Sequence, residues 1–401
     1  MAVVMGDVDM VRALGLAGIR SCYFGPPDYS ARFSRHVREV LPWLDEWRCQ
    51  EQIVAALLRF ARTQPEPPVL YPQTDAAVLL ASRYRDDLSG AFRFVLADAG
   101  LIERLIDKAQ FQALAERHGL AVPPAQRLRP SPEGPAPDLH VRFPVLVKPV
   151  RRGGDWKATG ALGKAMHVRG EDEWRAVWPR LGRVRSELLV QQLVPGPESA
   201  IESYHAYIDS GGDTAGEFTG RKIRTFPPRY GNSSAVEIVD VPDVAALGRG
   251  ALSALGVRGV AKVDFKRDDR GRLHLLEINP RFNLWHHPAA LAGVNLPAIV
   301  YADLTGCTRP RGRRPTRHVT WCAPLLDVRA AHQTGTPPVA WLRWARRCQA
   351  ISGLAWDDPL PFLRGTLWVA VRRRLAGTWR TADVALPLRL GKFVRSLRRR
   401  R

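Results

Sequence analysis

The chemistry of this chain is concentrated in two short apolar segments joined by a charged turn. The segments run from Val260 to Lys266 and from Leu273 to Arg281, and a glycine lies in the turn between them, a pattern that is typical of a β-hairpin. Side chains alternate between the two faces of a strand, so every second residue shares a face. The polar residues that share a face are Lys262, Asp264 and Lys266 in the first strand and Glu277 and Asn279 in the second.

These polar residues are candidates for a metal site. If the two faces coincide, Asp264, Glu277 and Asn279 bring two carboxylates and an amide oxygen together, and hard oxygen ligands suit Mg²⁺, with Mn²⁺ as an alternative. Charged residues on a hairpin are usually only a solvated face. Here Glu277 and Asn279 are neighbours of the apolar Leu276 and Ile278, and a buried carboxylate without a cation is costly. The sequence therefore predicts a site for Mg²⁺ carried by a triphosphate such as ATP.

A second cluster upstream has the chemistry of a phosphate site. The apolar strand that begins at Phe143 ends in Lys148, and a lysine on a rigid strand can hold phosphate oxygens. The glycine-rich stretch 151–164 follows at once, and Gly153 and Gly154 can donate backbone N–H groups to a triphosphate. The GxxxxGK[ST] pattern is absent, so this is not a P-loop.

Two further cations lie on a predicted strand in the middle of the chain. Lys222 and Arg224 are two residues apart, so they share a face. They are predicted either to join the phosphate-binding set or to bind a substrate carboxylate, for which the arginine fork is well shaped. The alternative is that both are exposed strand charges.

The order of four motifs resembles that of the ATP-grasp superfamily, the fold of carboxylate–amine ligases such as D-alanine–D-alanine ligase, carbamoyl-phosphate synthase and the purine-pathway ligases. The resemblance covers about residues 100–305, and the segment 218–229 further resembles a bacterial subgroup related to D-aspartate ligases. The four motifs are Asp107-Lys108, Phe143 to Pro149, Leu189 to Glu198, and Val263-Asp264-Phe265 with Leu276 to Arg281.

The resemblance implies a role for each matching position. Lys108 and Lys148 would contact the ATP phosphates, and Lys262 and Arg281 would stabilise an acyl phosphate and the tetrahedral intermediate. The hinge of the superfamily usually carries a glutamate, whereas both candidates here are glutamines, which puts nucleotide preference in doubt. The implied nucleotide contacts of the hinge are Gln191, Gln192, Leu193 and Val194 for adenine and Glu198 for ribose, and the implied metal ligands are Asp264, Glu277 and Asn279.

The implied reaction joins a carboxylate to an amine at the expense of ATP. The carboxylate would attack the γ-phosphate, and the acyl phosphate would then react with the amine. One rival is an ATP-dependent carboxylase or carbamoyl-phosphate-forming enzyme, although no biotin carrier or amidotransferase segment is recognisable. The other rival is a non-catalytic nucleotide-binding adaptor.

The rest of the sequence predicts the elements that position these residues. Residues 1–100 alternate short apolar strands with helices, which favours a parallel α/β domain. We expect an ATP-grasp domain of two α+β lobes over residues 101–306 and a basic, mainly helical extension over residues 307–401. In the first loop, Asp7 and Asp9 are interpreted as helix-capping groups or substrate contacts. The five cysteines are scattered, which suits a reducing cytoplasm and argues against a zinc site.

The formal net charge of +21 is a property of the C-terminal segment. Residues 307–401 carry 21 Lys and Arg against four acidic residues, whereas the preceding 306 residues carry 39 against 35. Arginine interspersed with tryptophan favours either an appendage packed on the core or peripheral contact with the anionic inner face of a membrane. Nucleic acid is the third alternative, and no binding module for it is recognisable. No run reaches the roughly 18 apolar residues that a spanning helix needs.

Overall fold

The computed structural model describes residues 1–150, 156, 159 and 165–369 of the 401-residue chain. Gly153 and Gly154 of the predicted phosphate loop lie outside the described residues, and so does the arginine-rich end of the chain.

The N-terminal part is a four-stranded parallel sheet with strand order β3-β2-β1-β4. Because all four strands are parallel, their carboxyl ends lie at the same edge of the sheet. The predicted parallel α/β unit is confirmed. The strands are β1 (Ala2–Met5), β2 (Ser21–Tyr23), β3 (Val37–Val40) and β4 (Val69–Pro72), and the helices are α1 (Val8–Leu16), α2 (Gln50–Arg62), α3 (Asp75–Arg83) and α4 (Arg85–Ser89), with a 3₁₀ turn over Ser30–Phe33.

The next lobe is a four-stranded antiparallel sheet with strand order β5-β8-β6-β7. Two helices, α5 (Ala99–Ile106) and α6 (Lys108–Arg117), lead into it. Helix α7 (Glu171–Leu181) buries Trp174 and Trp178 against the sheet, which gives this lobe an apolar core of its own. The strands are β5 (Ala125–Leu128), β6 (Val145–Pro149), β7 (Met166–Val168) and β8 (Leu188–Gln192).

A seven-stranded sheet with order β13-β12-β9-β10-β11-β14-β15 forms the largest layer. Its strands are antiparallel except for the last pair, which is parallel. With the preceding sheet it makes the two lobes that the sequence predicts. The strands are β9 (Ile201–Ile208), β10 (Thr214–Phe226), β11 (Asn232–Ile238), β12 (Gly259–Arg267), β13 (Leu273–Asn279), β14 (Val319–Cys322) and β15 (Ala350–Ile351), and the helices beside them are α8 (Pro242–Ala254), α9 (His286–Leu291) and α10 (Leu296–Thr305).

The two faces of this sheet have different neighbours. On one face, Val263 and Phe265 of β12 lie in an apolar core with α5 and α8. On the opposite face, Val260 lies in an apolar core shared with the N-terminal sheet, and the same face then carries Lys262 and Asp264. The N-terminal domain therefore covers the apolar half of this face, and the polar half lies beside it.

Residues beyond the predicted boundary at 306 also contribute to the seven-stranded sheet. Strand β14 pairs with β11, and β15 pairs with β14. The first part of the predicted extension is thus built into the sheet, while the domain boundaries at 100 and 306 stay predictions. The remaining described elements are α11 (Pro324–Gln333), α12 (Pro338–Ala345) and the short turn α13 (Leu360–Phe362), which continues as a π-helix over Leu363–Trp368.

Two buried residues of α1 bind this C-terminal segment to the N-terminal domain. The Arg12 guanidinium donates to the carbonyl oxygens of Gly353 and Asp358 at 3.1 and 3.0 Å. The Asp9 carboxylate accepts from Ser352 Oγ at 2.7 Å. Because these bonds join residues more than 340 positions apart, the segment around residue 355 closes the fold.

The helices are short. The longest ones in the described part of the chain, α2 and α8, have 13 residues each. Within that part, no helix combines the length and apolar character that crossing a bilayer requires.

Candidate active site

Strands β12 and β13 pair so that their polar faces coincide. Lys262 lies opposite Asn279, and Asp264 lies opposite Glu277, with a register shift just after Asp264. Residues directly opposite each other in an antiparallel pair have Cβ atoms about 5 Å apart. Asn279 Nδ2 donates to Glu277 Oε1 at 3.1 Å, so these groups converge as the hairpin pattern predicts. The expectation that Glu277 is buried was wrong, because its side chain is exposed on the open side of the last strand.

Asp264 is buried and held by two donors. Ser203 Oγ on the adjacent strand β9 donates to one carboxylate oxygen, and Lys262 Nζ donates to the other at 2.8 Å. Burial alone would raise the pKa of Asp264, but the positive charges of Lys262 and Lys222 and the two hydrogen bonds hold this pKa well below its usual value. Asp264 is therefore an ionised carboxylate throughout the physiological pH range.

Lys262 is a fixed positive charge at the inner end of the polar face. Its Nζ lies 5.2 Å from the centroid of the Trp285 ring, which is buried beneath it. Burial lowers the pKa of Lys262, and the charge of Asp264 opposes this effect. The ring and the carboxylate together fix the position of the ammonium group.

Lys148 reaches the site from the other lobe, at the end of β6. Its Nζ donates to Gln191 Oε1 at 2.7 Å. Burial lowers the pKa of Lys148 to about 8, with Glu277 raising it and Lys108 lowering it further. The Lys108 ammonium donates to the carbonyl oxygen of Pro149 at 3.3 Å. The two lysines predicted to bind phosphates are thus neighbours, and Lys148 lies within the electrostatic reach of Glu277 on β13, hereafter the metal strand.

The Gln191 side chain supports Lys148. It is buried, and while its Oε1 accepts from the lysine, its Nε2 donates to Gln112 Oε1 at 3.1 Å. Both ends of the amide are therefore engaged within the protein, and the adenine contact assigned to Gln191 stays a prediction.

The rest of the hinge connects the two sheets. The backbone N–H groups of Gln192 and Leu193 donate to proline carbonyl oxygens at 2.8 and 2.9 Å, and the Val194 side chain is buried. Glu198 Oε2 accepts from the backbone N–H of Tyr230 at 3.3 Å. These four residues lie at the end of β8 and before β9, and their contacts with adenine and ribose stay predictions.

The oxygen donors on the metal strands fit Mg²⁺. Among the residues that the structure describes, no group of three or more His, Cys, Asp or Glu side chains is arranged to hold a metal ion. The candidate set is instead two carboxylates and one amide, from Asp264, Glu277 and Asn279. A magnesium ion is usually held by one or two carboxylates and by waters and phosphate oxygens, so this sparse set suits an ion that arrives with a nucleotide.

Residues 185–324 match the model of a protein family described as ATP-grasp in the biosynthetic pathway with Ter operon. The match begins just before β8 and ends just after β14, so it includes the hinge and the whole metal hairpin. This chain contains an ATP-grasp domain. The resemblance drawn from the four motifs is confirmed.

The alignments with curated relatives extend over more of the chain than the match to the family model does. The chain is 26% identical over 236 residues to the D-alanine–D-alanine ligase of Pseudomonas entomophila, covering 54% of this chain and 68% of that protein. It is 27% identical over 321 residues to the D-aspartate ligase of Enterococcus faecium, covering 75% of this chain and 74% of that protein.

Solved structures share the fold over four-fifths of the chain. L-amino acid ligase from Bacillus licheniformis superposes with a TM-score of 0.59 at 15% identity, covering 80% of this chain and 78% of that chain. Biotin carboxylase from Campylobacter jejuni superposes with a TM-score of 0.60 at 13% identity, covering 80% and 75%. At these identities the likeness shows the fold alone.

The structure places Arg224 outside this cluster. Its guanidinium donates from Nε and Nη2 to the two oxygens of Asp327 at 2.8 and 2.6 Å, and it lies 4.0 Å from the centroid of the Trp344 ring. Asp327 is fully buried and also accepts from Ser234 Oγ and Trp341 Nε1. Arg224 is therefore engaged on a structural partner, and its assigned role in catalysis stays a prediction that this geometry does not favour.

Arg281 connects the ATP-grasp domain to the N-terminal domain. Its Nε donates to Asp75 Oδ1 at 2.5 Å, at the first residue of α3. Its Nη2 lies 3.4 Å from Asn279 Oδ1, so the same side chain touches the metal strand. This position at the end of β13 is consistent with the role assigned to Arg281.

Lysine is rare in this chain, and it is concentrated at the site. The sequence has eight lysines against 52 arginines. Lys266, to which sequence reasoning gave no role, is buried in the field of Glu198 and Lys222. The scarcity of lysine was the signal that could have found it. The lysines around the site are Lys108, Lys148, Lys222, Lys262 and Lys266, and two more, Lys157 and Lys164, fall in the glycine-rich stretch outside the described residues.

A cavity of about 390 Å³ lies at the carboxyl edge of the parallel sheet, where ligands of open α/β sheets usually bind. It lies beside the end of the metal strand, because Arg281 and Asn283, which follow β13, form part of its wall. The residues that line it from the N-terminal domain follow the four strands in turn: Gly6 and Asp7 after β1, Phe24, Gly25, Pro26 and Tyr29 after β2, Trp43, Asp45, Glu46 and Trp47 after β3, and Gln73 and Thr74 after β4.

Proposed function

We propose that this protein is an ATP- and Mg²⁺-dependent ligase that activates a carboxylate as an acyl phosphate and joins it to an amine, releasing ADP and phosphate. The observation that carries the proposal is the register of β12 and β13, which puts Asp264 opposite Glu277. Lys222 and Lys262 lie near Asp264, and Lys148 lies near Glu277. The names of the relatives, D-alanine–D-alanine ligase and D-aspartate ligase, support the same reaction.

Each polar group has a task in this reaction. Asp264, Glu277 and Asn279 would hold Mg²⁺, which would neutralise charge on the transferred phosphoryl group. Lys108 and Lys148 would bind the phosphates from the first lobe. Lys222 and Lys262 would supply positive charge from strands of the sheet, so that little reorganisation would be needed as charge develops.

The proposed reaction takes place in two steps. An oxygen of the carboxylate attacks the γ-phosphorus, the bond to the β–γ bridging oxygen breaks, and ADP leaves. The amine nitrogen then attacks the acyl carbon, the C–O bond to phosphate breaks, and the amine releases one proton. Arg281 lies at the boundary between the metal strand and the cavity, where it would stabilise the tetrahedral oxyanion.

The experiment is an ADP-release screen over pairs of amino acids with mass detection of the products. We expect Mg²⁺-dependent ADP release that requires one carboxylate and one amine. Glu277→Ala should abolish it without lowering the melting temperature, because Glu277 is exposed, and Glu39→Ala on β3 is the matched control at an exposed strand glutamate.

Full activity in Glu277→Ala would refute the metal assignment. ADP release with bicarbonate and no amine would favour the carboxylase class instead. ATP binding without turnover for any pair would favour the adaptor.

We also propose that the C-terminal segment contacts an anionic membrane surface. One observation favours it: a set of large apolar side chains is exposed on the last described turns, while Gly365 packs against Ser30 on the other side. Arginines follow in the sequence. The exposed side chains are Trp356, Leu360, Leu363, Leu367 and Trp368.

Vesicle flotation tests this contact. The full chain should float with vesicles that contain phosphatidylglycerol and not with pure phosphatidylcholine, and deletion of residues 390–401 or the pair Leu363→Ser and Leu367→Ser should weaken the binding. Unchanged binding in both variants would end this proposal.

A further inference from the structure

The cavity at the edge of the parallel sheet has an excess of negative charge. Asp7, Asp45 and Glu46 line it, and the opposing cation is Arg281. The charge of the Arg281 guanidinium is partly compensated by Asp75, to which its Nε donates. A ligand of this cavity therefore meets three acidic groups, and the cavity's own wall opposes them with one cation.

Two of these carboxylates are held in place and partly desolvated. Asp7 caps α1, accepting from the backbone N–H groups of Asp9 and Met10 at 3.0 and 3.1 Å. Burial and the neighbouring charge of Asp9 raise its pKa to about 7. Glu46 accepts from Thr74 Oγ1 at 2.6 Å, and burial raises its pKa also. A positive ligand would relieve the cost of keeping these groups ionised.

Aromatic faces complete the wall. Tyr29, Trp43 and Trp47 line the cavity with 52%, 40% and 62% of their surface exposed, although large aromatic side chains usually bury most of theirs. The buried Tyr23 hydroxyl lies directly behind Gly25 and has no hydrogen-bond partner among the described residues. Carboxylates beside aromatic faces are the combination that attracts ammonium and guanidinium groups.

We propose that the amine substrate of this enzyme carries a second cationic group, as a basic amino acid or a diamine does, and that the cavity selects it by that group. The second cation lies against Glu46, Asp45 and Asp7, with its carbon chain along Trp43 and Trp47. The reacting amine then points to the opposite wall, at Arg281 and the metal strand. This inference rests on the proposed ligase function, because that function supplies the need for an amine.

The volume of the cavity agrees with this class. About 390 Å³ holds an amino acid with a long side chain, and pockets of about 300–1,000 Å³ are usual for small ligands. An anionic second group would face three carboxylates with only an engaged arginine in compensation. A purely apolar chain would desolvate these carboxylates further and would supply no counter-charge.

Calorimetric titration of the full chain with lysine and norleucine tests the selection, in the presence of Mg²⁺ and a non-hydrolysable ATP analogue. The two ligands differ in that norleucine has a methyl group where lysine has its terminal aminomethyl group. We expect either enantiomer of lysine to bind at least tenfold more tightly than norleucine, and glutamate not to bind. Glu46→Gln should remove most of the tenfold difference, and Trp47→Ala should weaken lysine binding several-fold.

Glu51→Gln on the exposed first turn of α2 is the matched control and should leave both affinities unchanged. Equal binding of norleucine and lysine, tighter binding of glutamate, or no binding of any cationic probe would overturn the inference. ADP release with neutral amines alone would overturn it and leave the ligase proposal standing, whereas absence of ADP release with every pair would count against the ligase itself.

Discussion

Two buried carboxylates that pair with cations of the same sheet have similar chemistry and different surroundings. At one end, Asp327 receives a two-pronged bond from Arg224 and two further hydrogen bonds from a serine and a tryptophan. At the other end, Asp264 receives one bond from Lys262 and one from Ser203. The first carboxylate accepts four hydrogen bonds, whereas the second accepts two and also lies in the field of Lys222.

This difference separates a structural pair from a functional one. Breaking a buried pair is costly in either place, because the remaining charge is left without compensation. The pair that is completely satisfied inside the protein has no capacity for a ligand. The pair that is incompletely satisfied retains lone pairs for a cation and positive charge for phosphate, so the number of donors on each carboxylate indicates which end of the sheet does chemistry.

The largest expected effect is on the structural pair. Asp327→Ala leaves the guanidinium of Arg224 buried without its partner and removes the acceptor of two other donors, so we expect a loss of about 3–5 kcal/mol in the free energy of unfolding. Urea unfolding followed by circular dichroism measures it.

Two controls sharpen this result. Asp213→Ala, at an exposed turn of the same sheet, should change the free energy of unfolding by no more than about 0.5 kcal/mol. The double variant Arg224→Met with Asp327→Leu removes both charges and should recover part of the loss. A stability change in Asp327→Ala no larger than that of Asp213→Ala would show that the two pairs do not differ as described.

The smaller expected effect is a pH dependence at the functional end. Lys148 has a pKa of about 8 in the free protein, and only its protonated amine attracts phosphate. The protonated fraction falls from about nine-tenths at pH 7 to about one-tenth at pH 9, so the dissociation constant of ATP with Mg²⁺ should rise roughly tenfold over this interval. Fluorescence titration with a labelled nucleotide measures this constant.

Lys148→Arg is the matched variant for this effect. A guanidinium stays protonated up to pH 12, so the variant should bind nucleotide with little change between pH 7 and 9. A tenfold rise that persists in Lys148→Arg would assign the titration to another group.

The metal hairpin could be predicted from the sequence because both of its strands and their turn are contiguous. Because side chains alternate along a strand, the residues that share a face could be predicted. The short turn makes the two strands pair with each other, which places Asp264 opposite Glu277. In the same way the apolar runs of the first domain predicted β1 and β4, which are buried throughout. Local pattern is sufficient where the partner is close in the chain.

Partners that are far apart in the chain could not be predicted. Arg224 shares a strand face with the site by spacing, but its partner Asp327 lies 103 residues later on a helix, and no local pattern indicates that contact. The edge strand β3 has mostly exposed side chains, so it lacks the apolar pattern on which strand prediction depends. Strands β14 and β15 were likewise not predicted, because they lie in a segment whose arginine content suggested an appendage.

The closure of the fold through Arg12 and Asp9 has a consequence for how the protein is made. These groups lie on α1, and their partners around residues 352–358 emerge from the ribosome more than 340 residues later. Until then a guanidinium and a carboxylate that are buried in the finished protein remain in contact with water. The N-terminal domain can therefore form its parallel sheet early, but it completes its packing only after residues 352–358 have been synthesised.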